Sequence, residues 1–172
     1  MSHSIVLTVV SDDHPGIVET LSEIIADHGG NWTESSMMSL AGKFAGILLV
    51  HMPETQAPAF VAELEDLQSK GMHIVAQRSD MPAITDSNSE YSIDLVGQDR
   101  PGIVHDITGV LAKHDVNVQE LETTVQSASM SGESLFMAHA RIFVPPSANL
   151  EVLQAELEEL ANELMVDIEL EA

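Results

Sequence analysis

Hydrophobic residues along the 172-residue chain follow two spacings in turn, which predicts alternating strands and helices. Short apolar-rich runs typical of strands separate longer segments in which apolar residues recur every three or four positions, as on one face of a helix. The first half therefore reads as strand, helix, strand, strand, helix, strand, the order of a ferredoxin-like split βαβ unit. The predicted strands are 4–10, 31–40, 44–52 and 72–78, and the predicted helices are 15–28 and 56–70.

The second half predicts the same order of elements, so the expected fold is α+β with two ferredoxin-like βαββαβ domains in tandem. Each domain is expected to hold an antiparallel sheet with its helices on one face. Domain 1 spans residues 1–79 and domain 2 spans 90–172, while residues 80–89, rich in turn formers, form the predicted linker. In domain 2 the strands are 91–98, 116–128, 134–144 and 166–170, and the helices are 101–114 and 147–164, with Ser147 as the cap.

An internal duplication accounts for this repetition. Asp13-His14-Pro15-Gly16-Ile17-Val18 returns 86 residues later as Asp99-Arg100-Pro101-Gly102-Ile103-Val104. Between positions 10 and 34, ten of 25 residues are identical at this offset, where ordinary composition gives about one or two. Gly132 is expected to correspond to Gly42, so the hairpin turn of the second copy is predicted to be four residues longer.

The repeated phrase lies where the first strand of each copy runs into a helix. Pro15 and Pro101 are expected at the first helical position, where the missing N–H costs nothing. Gly16 and Gly102 lack a Cβ, so another group can approach the backbone closely. The free N–H groups of such a helix N-terminus suit an anion, including a carboxylate.

Charge and composition narrow the function further. The net charge is −22, from 28 acidic and six basic residues, which leaves no basic footprint for direct nucleic-acid binding. Such acidity is typical of solubility or of a salty cytoplasm, and a basic protein partner is the alternative interpretation.

The absence of cysteine excludes disulfides and thiolate catalysis, and the eight histidines lack the spacing of a metal site. No targeting or membrane-spanning segment is predicted, so we expect a cytoplasmic protein. Since domains of about 80 residues are marginal alone, we also expect each unit to pack against the other unit or against another copy of the chain, and we expect a homo-oligomer.

The phrase occurs twice in the predicted topology, and Asn31 and Asn117 open the second strands. In these features nearly the whole chain resembles tandem ACT domains. A stand-alone pair of this length is most similar to the glycine cleavage system transcriptional repressor family. That resemblance implies an amino-acid-responsive regulator without enzymatic activity or cofactor, whose effector is a small amino acid, with glycine as the candidate. It also implies that the partner is a DNA-binding transcriptional activator rather than DNA itself.

The resemblance further implies that a small amino acid binds near the strand-to-helix turn. N–H groups around Gly16 and Gly102 would take the carboxylate, an aspartate the ammonium, and an asparagine either end. Helix-start electrostatics for the aspartates, and a turn role for the asparagines, are the alternative interpretations. His14 replaces the usual arginine, so the two sites are not equivalent. The candidates are Asp13, His14, Gly16, Ile17 and Asn31 in the first copy, and Asp99, Arg100, Gly102, Ile103 and Asn117 in the second.

Two other functions use the same fold. A regulatory ACT subunit would dock onto an amino-acid biosynthetic enzyme and carry feedback inhibition. An acylphosphatase would use an arginine at the first turn and an asparagine on the second strand, as Arg100 and Asn117 superficially do. The glycine-rich phosphate loop of acylphosphatases is missing, however, and a charge of −22 repels a phosphorylated substrate. We therefore expect a regulator and not an enzyme.

Overall fold

A computed structural model describes residues 2–80, 87–128 and 130–172 of the chain. The chain divides into two compact units, Met1–Pro82 (unit 1) and Ala83–Ala172 (unit 2). Each unit has the βαββαβ order, which confirms the predicted α+β fold of two ferredoxin-like domains. Most of the predicted linker 80–89 lies outside the described residues.

Unit 1 is a four-stranded antiparallel sheet with two helices. Its strands are β1 (Ser2–Asp12), β2 (Asn31–Leu40), β3 (Lys43–Pro53) and β4 (Met72–Arg78), in the spatial order β2-β3-β1-β4. Its helices are α1 (Ile17–Asp27) and α2 (Ala57–Asp66), and α2 continues as a 3₁₀ turn over Leu67–Lys70.

Unit 2 repeats this arrangement. Its strands are β5 (Ser89–Gln98), β6 (Asn117–Ser127), β7 (Ser134–Val144) and β8 (Val166–Glu171), in the spatial order β6-β7-β5-β8. Its helices are α3 (Ile103–Lys113) and α4 (Leu150–Leu164).

Each unit buries its own core between the sheet and the helices. On β1, Leu7 and Val9 are fully buried beneath the helices, whereas Thr8 and Val10 lie on the opposite, open face. This is the alternation that the sequence predicted. The core of unit 1 includes Leu21, Leu48, Val50 and Phe60, and that of unit 2 includes Leu95, Leu111, Ile142, Leu153 and Leu157.

The starts of three helices differ from the prediction. Gly16 and Gly102 adopt left-handed backbone conformations, with φ of 93° and 87°, and α1 and α3 begin one residue later. Pro15 and Pro101 therefore belong to a turn before the helix and not to its first position, because a left-handed residue cannot be part of a right-handed helix. The cap of α4 is Asn149 and not Ser147, since Asn149 Oδ1 accepts hydrogen bonds from the N–H groups of Glu151 and Val152.

The hairpin of unit 2 is also longer than predicted. Ser11 pairs with Phe44 in unit 1, and the equivalent Gly97 pairs with Phe136 in unit 2. The third strands are thus displaced by 92 residues while the first strands are displaced by 86, so the turn is six residues longer, not four. In unit 1 the turn contains two residues with positive φ, Ala41 and Gly42, which matches the tight type I′ hairpin geometry.

The open faces of the two sheets carry different chemistry. In unit 1 the strand register places mainly apolar side chains on the face that the helices do not cover: Val6, Val10, Met38, Leu40, Ala45, Ile47, Leu49 and Val75. In unit 2 the same face carries seven carboxylates, from Glu90, Asp94, Glu120, Glu122, Asp167, Glu169 and Glu171. A single duplicated unit has therefore diverged into one apolar and one acidic sheet face.

His139 lies within the acidic face of unit 2, and its pKa predicts a pH-dependent stability. The hydrogen bond from its Nδ1–H to Asp94 Oδ1 (2.7 Å) raises the pKa of His139 above its ordinary value, and the charge of Asp94, then those of Glu122 and Glu120, raise it further. Because the folded state binds this proton more tightly, the pair stabilises unit 2 below the pKa of an unfolded histidine. The contribution is lost as the pH rises through the folded pKa.

An NMR titration of the His139 ring proton measures the raised pKa on which this stability effect depends. We expect Asp94→Asn to return the midpoint towards that of an ordinary histidine, and Glu122→Gln to lower it less. A wild-type midpoint at the ordinary value, or one that Asp94→Asn leaves in place, would contradict the assignment.

Candidate functional site

The repeated phrase forms an exposed corner in each unit, between the end of the first strand and the start of the first helix. We call residues 13–17 corner 1 and residues 99–103 corner 2. The backbone N–H of Asp13 donates to the carbonyl of Gly42 (3.0 Å), and that of Asp99 donates to the carbonyl of Ser134 (2.9 Å). In both units, therefore, a backbone hydrogen bond from the aspartate N–H joins the corner to the hairpin of the same unit.

Both corners leave a helix N-terminus open. The first helical hydrogen bonds run from Thr20 N to Gly16 O and from Asp106 N to Gly102 O, each 3.0 Å long. The preceding N–H groups of residues 17–19 and 103–105 have no acceptor within their own helix. No side chain caps either helix in the described part of the chain, and a Cβ added at Gly16 or Gly102 would meet no described atom within 4 Å. The geometry suits the approach of a small anion.

The aspartates of the two corners have different surroundings. Asp13 Oδ2 accepts a hydrogen bond from Ser39 Oγ at the end of β2 (2.7 Å). Val125 occupies the equivalent position in unit 2, so Asp99 receives no such bond from β6. Ser39 was not among the predicted site residues, because sequence alternation does not show that the hairpin brings this hydroxyl to the corner.

The second residue of each corner also differs. His14 folds back on its own turn, where its Nδ1–H donates to the carbonyl of Pro15 (2.9 Å). Arg100 is half-buried. Arg100 takes part in no ion pair within residues 2–80, 87–128 and 130–172. The lysine and arginine ion pairs there are formed by Lys43, Arg78, Lys113 and Arg141. Corner 2 thus holds a permanent positive charge that no described carboxylate neutralises.

Corner 1 has a cation nearby, but it is already paired. Lys43 at the start of β3 forms an ion pair with Asp12. The hydrogen bond from Lys43, followed by its charge, lowers the pKa of Asp12 below its ordinary value, so this carboxylate stays ionised. Gln98 and Leu135 take these two places in unit 2. Of the two corners, corner 2 is therefore the better site for a carboxylate.

Asn31 and Asn117 do not reach these corners. In the register of the sheet, Asn31 pairs with His51, and His51 pairs with Ser4 near the start of β1. At about 3.3 Å per residue, this end of β1 is roughly 26 Å from Asp12. Asn117 starts β6 in the same way. A ligand of amino-acid size at a corner cannot contact the asparagine of the same unit, which corrects that part of the expected arrangement.

The described cavities lie elsewhere in the units. One of about 220 Å³ lies beside α2 and β4 and includes Leu64 and Val75 in its lining. The other, of about 30 Å³, lies between α3 and the sheet of unit 2 and is lined by apolar side chains that include Val118 and Ala140. The equivalent residues of unit 1 are the larger Trp32 and Leu48, which pack in or against its core. This second cavity is thus a product of divergence that the sequence analysis did not identify.

Among the described residues, no three or more histidine, aspartate or glutamate side chains come together as a metal site. Within the same residues, no helix combines the length and apolar character needed to cross a membrane.

Comparison with known proteins agrees with this architecture. A family model for the ACT domain matches residues 3–77 and again residues 92–171. The chain is 25% identical over 169 residues to the glycine cleavage system transcriptional repressor of Escherichia coli (strain K12), covering 94% of this chain and 86% of that protein. It is 35% identical over 81 residues to the UPF0237 protein MK1213 of Methanopyrus kandleri, covering 44% of this chain and 88% of that protein.

A solved structure extends the similarity to the whole fold. The crystal structure of an unknown protein from Galdieria sulphuraria superposes with a TM-score of 0.89 and 31% sequence identity. The match covers 99% of this chain and 98% of that one. Both units of this chain therefore have counterparts in another protein.

Proposed function

Since the chain belongs to the ACT domain family, we propose that it is a regulatory protein whose corners 1 and 2 bind a small amino acid, with glycine as the effector. The observation that supports this most is the repeated open helix N-terminus behind a left-handed glycine. Duplication has kept this geometry in both units, although their sheet faces, hairpins and cavities have diverged.

Each corner offers a partner to both ends of a zwitterion. The carboxylate would accept hydrogen bonds from the free N–H groups of the first helical turn, which begins at Ile17 or Ile103. The ammonium would pair with the carboxylate of Asp13 or Asp99. Arg100 adds a permanent charge at corner 2, whereas His14 is directed towards Pro15. We therefore expect corner 2 to bind more tightly than corner 1.

We further propose that the protein represses transcription through a DNA-binding activator and that glycine relieves the repression. The similarity to the Escherichia coli repressor supports a role in glycine-dependent regulation. The charge of −22 favours a protein partner over direct contact with DNA. The corner residues other than Ile17, Ile103 and Arg100 are exposed, so a ligand there is also accessible to a docked partner. Ligand and partner would then compete with a coupling free energy of about 1–3 kcal/mol.

Calorimetric titration of the full chain tests the binding step. We expect glycine to bind at up to two sites per chain, with a dissociation constant of roughly micromolar to millimolar. Glycinamide, which lacks the carboxylate, should bind at least about tenfold more weakly because the helix N–H groups lose their charged acceptor. Larger amino acids define the selectivity in the same experiment. No heat of binding with any amino acid would exclude the sensing role.

The partner step is tested separately. The purified protein should retain a DNA-binding activator on an affinity column and release it when glycine is added. Retention of an amino-acid biosynthetic enzyme in place of the activator would favour the alternative regulatory-subunit function.

A further inference from the structure

The open face of unit 1 exposes large apolar side chains in one continuous patch. Val10 is 43% exposed, Met38 57%, Leu40 69%, Ile47 55% and Val75 56%. The strand register places all five on the face that the helices do not cover. Isolated exposed apolar residues are common on monomers, but a contiguous patch across four strands is typical of an interaction site.

The same face is nearly free of unpaired charge. Among the described residues, its carboxylates are those of Asp12, which is paired with Lys43, and of Glu34 on the edge strand β2. The remaining polar positions are neutral hydroxyl or amide groups and histidines: Ser4, Thr8, Asn31, Ser36, His51, His73 and Gln77. On a chain with 28 acidic and six basic residues, such a surface is an exception.

We propose that this face packs against the same face of a second copy of the chain, forming a symmetric sheet-on-sheet dimer. Packed sheets lie about 10 Å apart with their side chains interdigitated, and symmetric pairing of one patch with itself is the commonest form of homo-oligomer. The inference does not depend on the proposed amino-acid sites.

The charge distribution favours a second copy as the occupant. An acidic surface would be a poor cover, because burying carboxylates against Ile47 and Val75 leaves them without water or a counter-charge. With 28 acidic residues, six basic residues and a net charge of −22, this chain has many carboxylates to keep in water. The neutral apolar face of another copy brings no such cost. Two molecules of net charge −22 also repel each other less where the facing surfaces carry few unpaired carboxylates.

The size of the face predicts the strength of the dimer. Four strands about 4.8 Å apart and about seven residues of roughly 3.3 Å each give a flat footprint of roughly 400 Å² per copy. Two copies therefore bury on the order of 900 Å² or more, since side chains enlarge the accessible area. This is near the lower limit of about 1,200 Å² for specific interfaces. We expect a weak dimer that forms at micromolar concentration.

Sedimentation velocity of the full chain between about 1 and 200 µM tests this proposal. The wild-type chain should change from monomer to dimer within that range. Ile47→Glu and Val75→Glu should each raise the dissociation constant by about 100-fold or more, because each buries two unpaired carboxylates per dimer. Val152→Glu is the matched control, since Val152 is 43% exposed on α4 of unit 2, and it should leave the dimer unchanged.

A milder variant guards against misfolding. Val75→Thr has nearly the same shape and suits a strand, and we expect it to weaken the dimer about fivefold while the circular dichroism spectrum is preserved. A wild-type chain that remains monomeric at the highest concentration would overturn the proposal. A dimer that Val75→Thr and both glutamate variants leave intact would overturn it equally, because association would then use another surface.

Discussion

Arg100→Ala is expected to weaken glycine binding at corner 2 by about tenfold to a hundredfold. A hydrogen bond to a charged group contributes roughly 1.5–3 kcal/mol, and every 1.4 kcal/mol is about a factor of ten in affinity. Arg100 is half-buried beside the open end of α3, and the described ion pairs of lysine and arginine involve other cations. Calorimetric titration of the variant with glycine measures the loss.

His14→Ala is the matched control at corner 1. The His14 ring is turned onto the carbonyl of Pro15, so we expect its removal to change glycine affinity by less than about threefold. Arg100→Lys should fall between wild type and Arg100→Ala, since lysine keeps the charge but loses the planar fork of donors. Equal effects of His14→Ala and Arg100→Ala, or no effect of either, would contradict the proposed difference between the corners.

Phe60→Ala is expected to lower the free energy of unfolding of unit 1 by about 3–5 kcal/mol. Phe60 is fully buried on α2, and its ring centroid lies 5.6 Å from that of His28 in an edge-on arrangement. Its removal loses transfer free energy and leaves a cavity that the packed sheet cannot fill. A unit of about 80 residues has a total stability of only several kcal/mol, so Phe60→Ala should bring unit 1 close to unfolding.

Urea denaturation followed by tryptophan fluorescence measures this loss. The chain has a single tryptophan, Trp32, on β2 of unit 1, so the signal reports on the unit that carries the substitution. Val18→Ala on α1, where Val18 is 46% exposed, should change the stability by less than about 0.5 kcal/mol. A loss below 1 kcal/mol for Phe60→Ala would contradict the assigned core.

The sequence predicts most of the fold because duplication and periodicity agree. Residues such as Leu7 and Val9 alternate with Thr8 and Val10, and this alternation determines which face of β1 is buried. The pattern does not distinguish Pro15 at the first helical position from Pro15 in a preceding turn, because both place an apolar stripe behind the same Pro-Gly pair. Only the left-handed conformation of Gly16 decides between them.

The candidate site is less predictable, since it depends on where distant residues meet. Asn31 follows α1 in sequence but starts a strand parallel to β1, which places it at the far end of the sheet. The hydrogen bond from Ser39 to Asp13 requires the hairpin geometry. The cavity beside Val118 and Ala140 depends on how two smaller side chains pack, which no motif reveals.

The most direct test of the amino-acid sites is a titration of the ¹⁵N-labelled full chain with glycine, followed by NMR. We expect the largest shifts of backbone amide signals at Gly16, Ile17, Gly102 and Ile103, where the helix N–H groups would meet the carboxylate. Shifts at corner 2 should saturate at lower glycine concentration than those at corner 1. Largest shifts outside both corners, or no shifts at saturating glycine, would contradict the proposed sites.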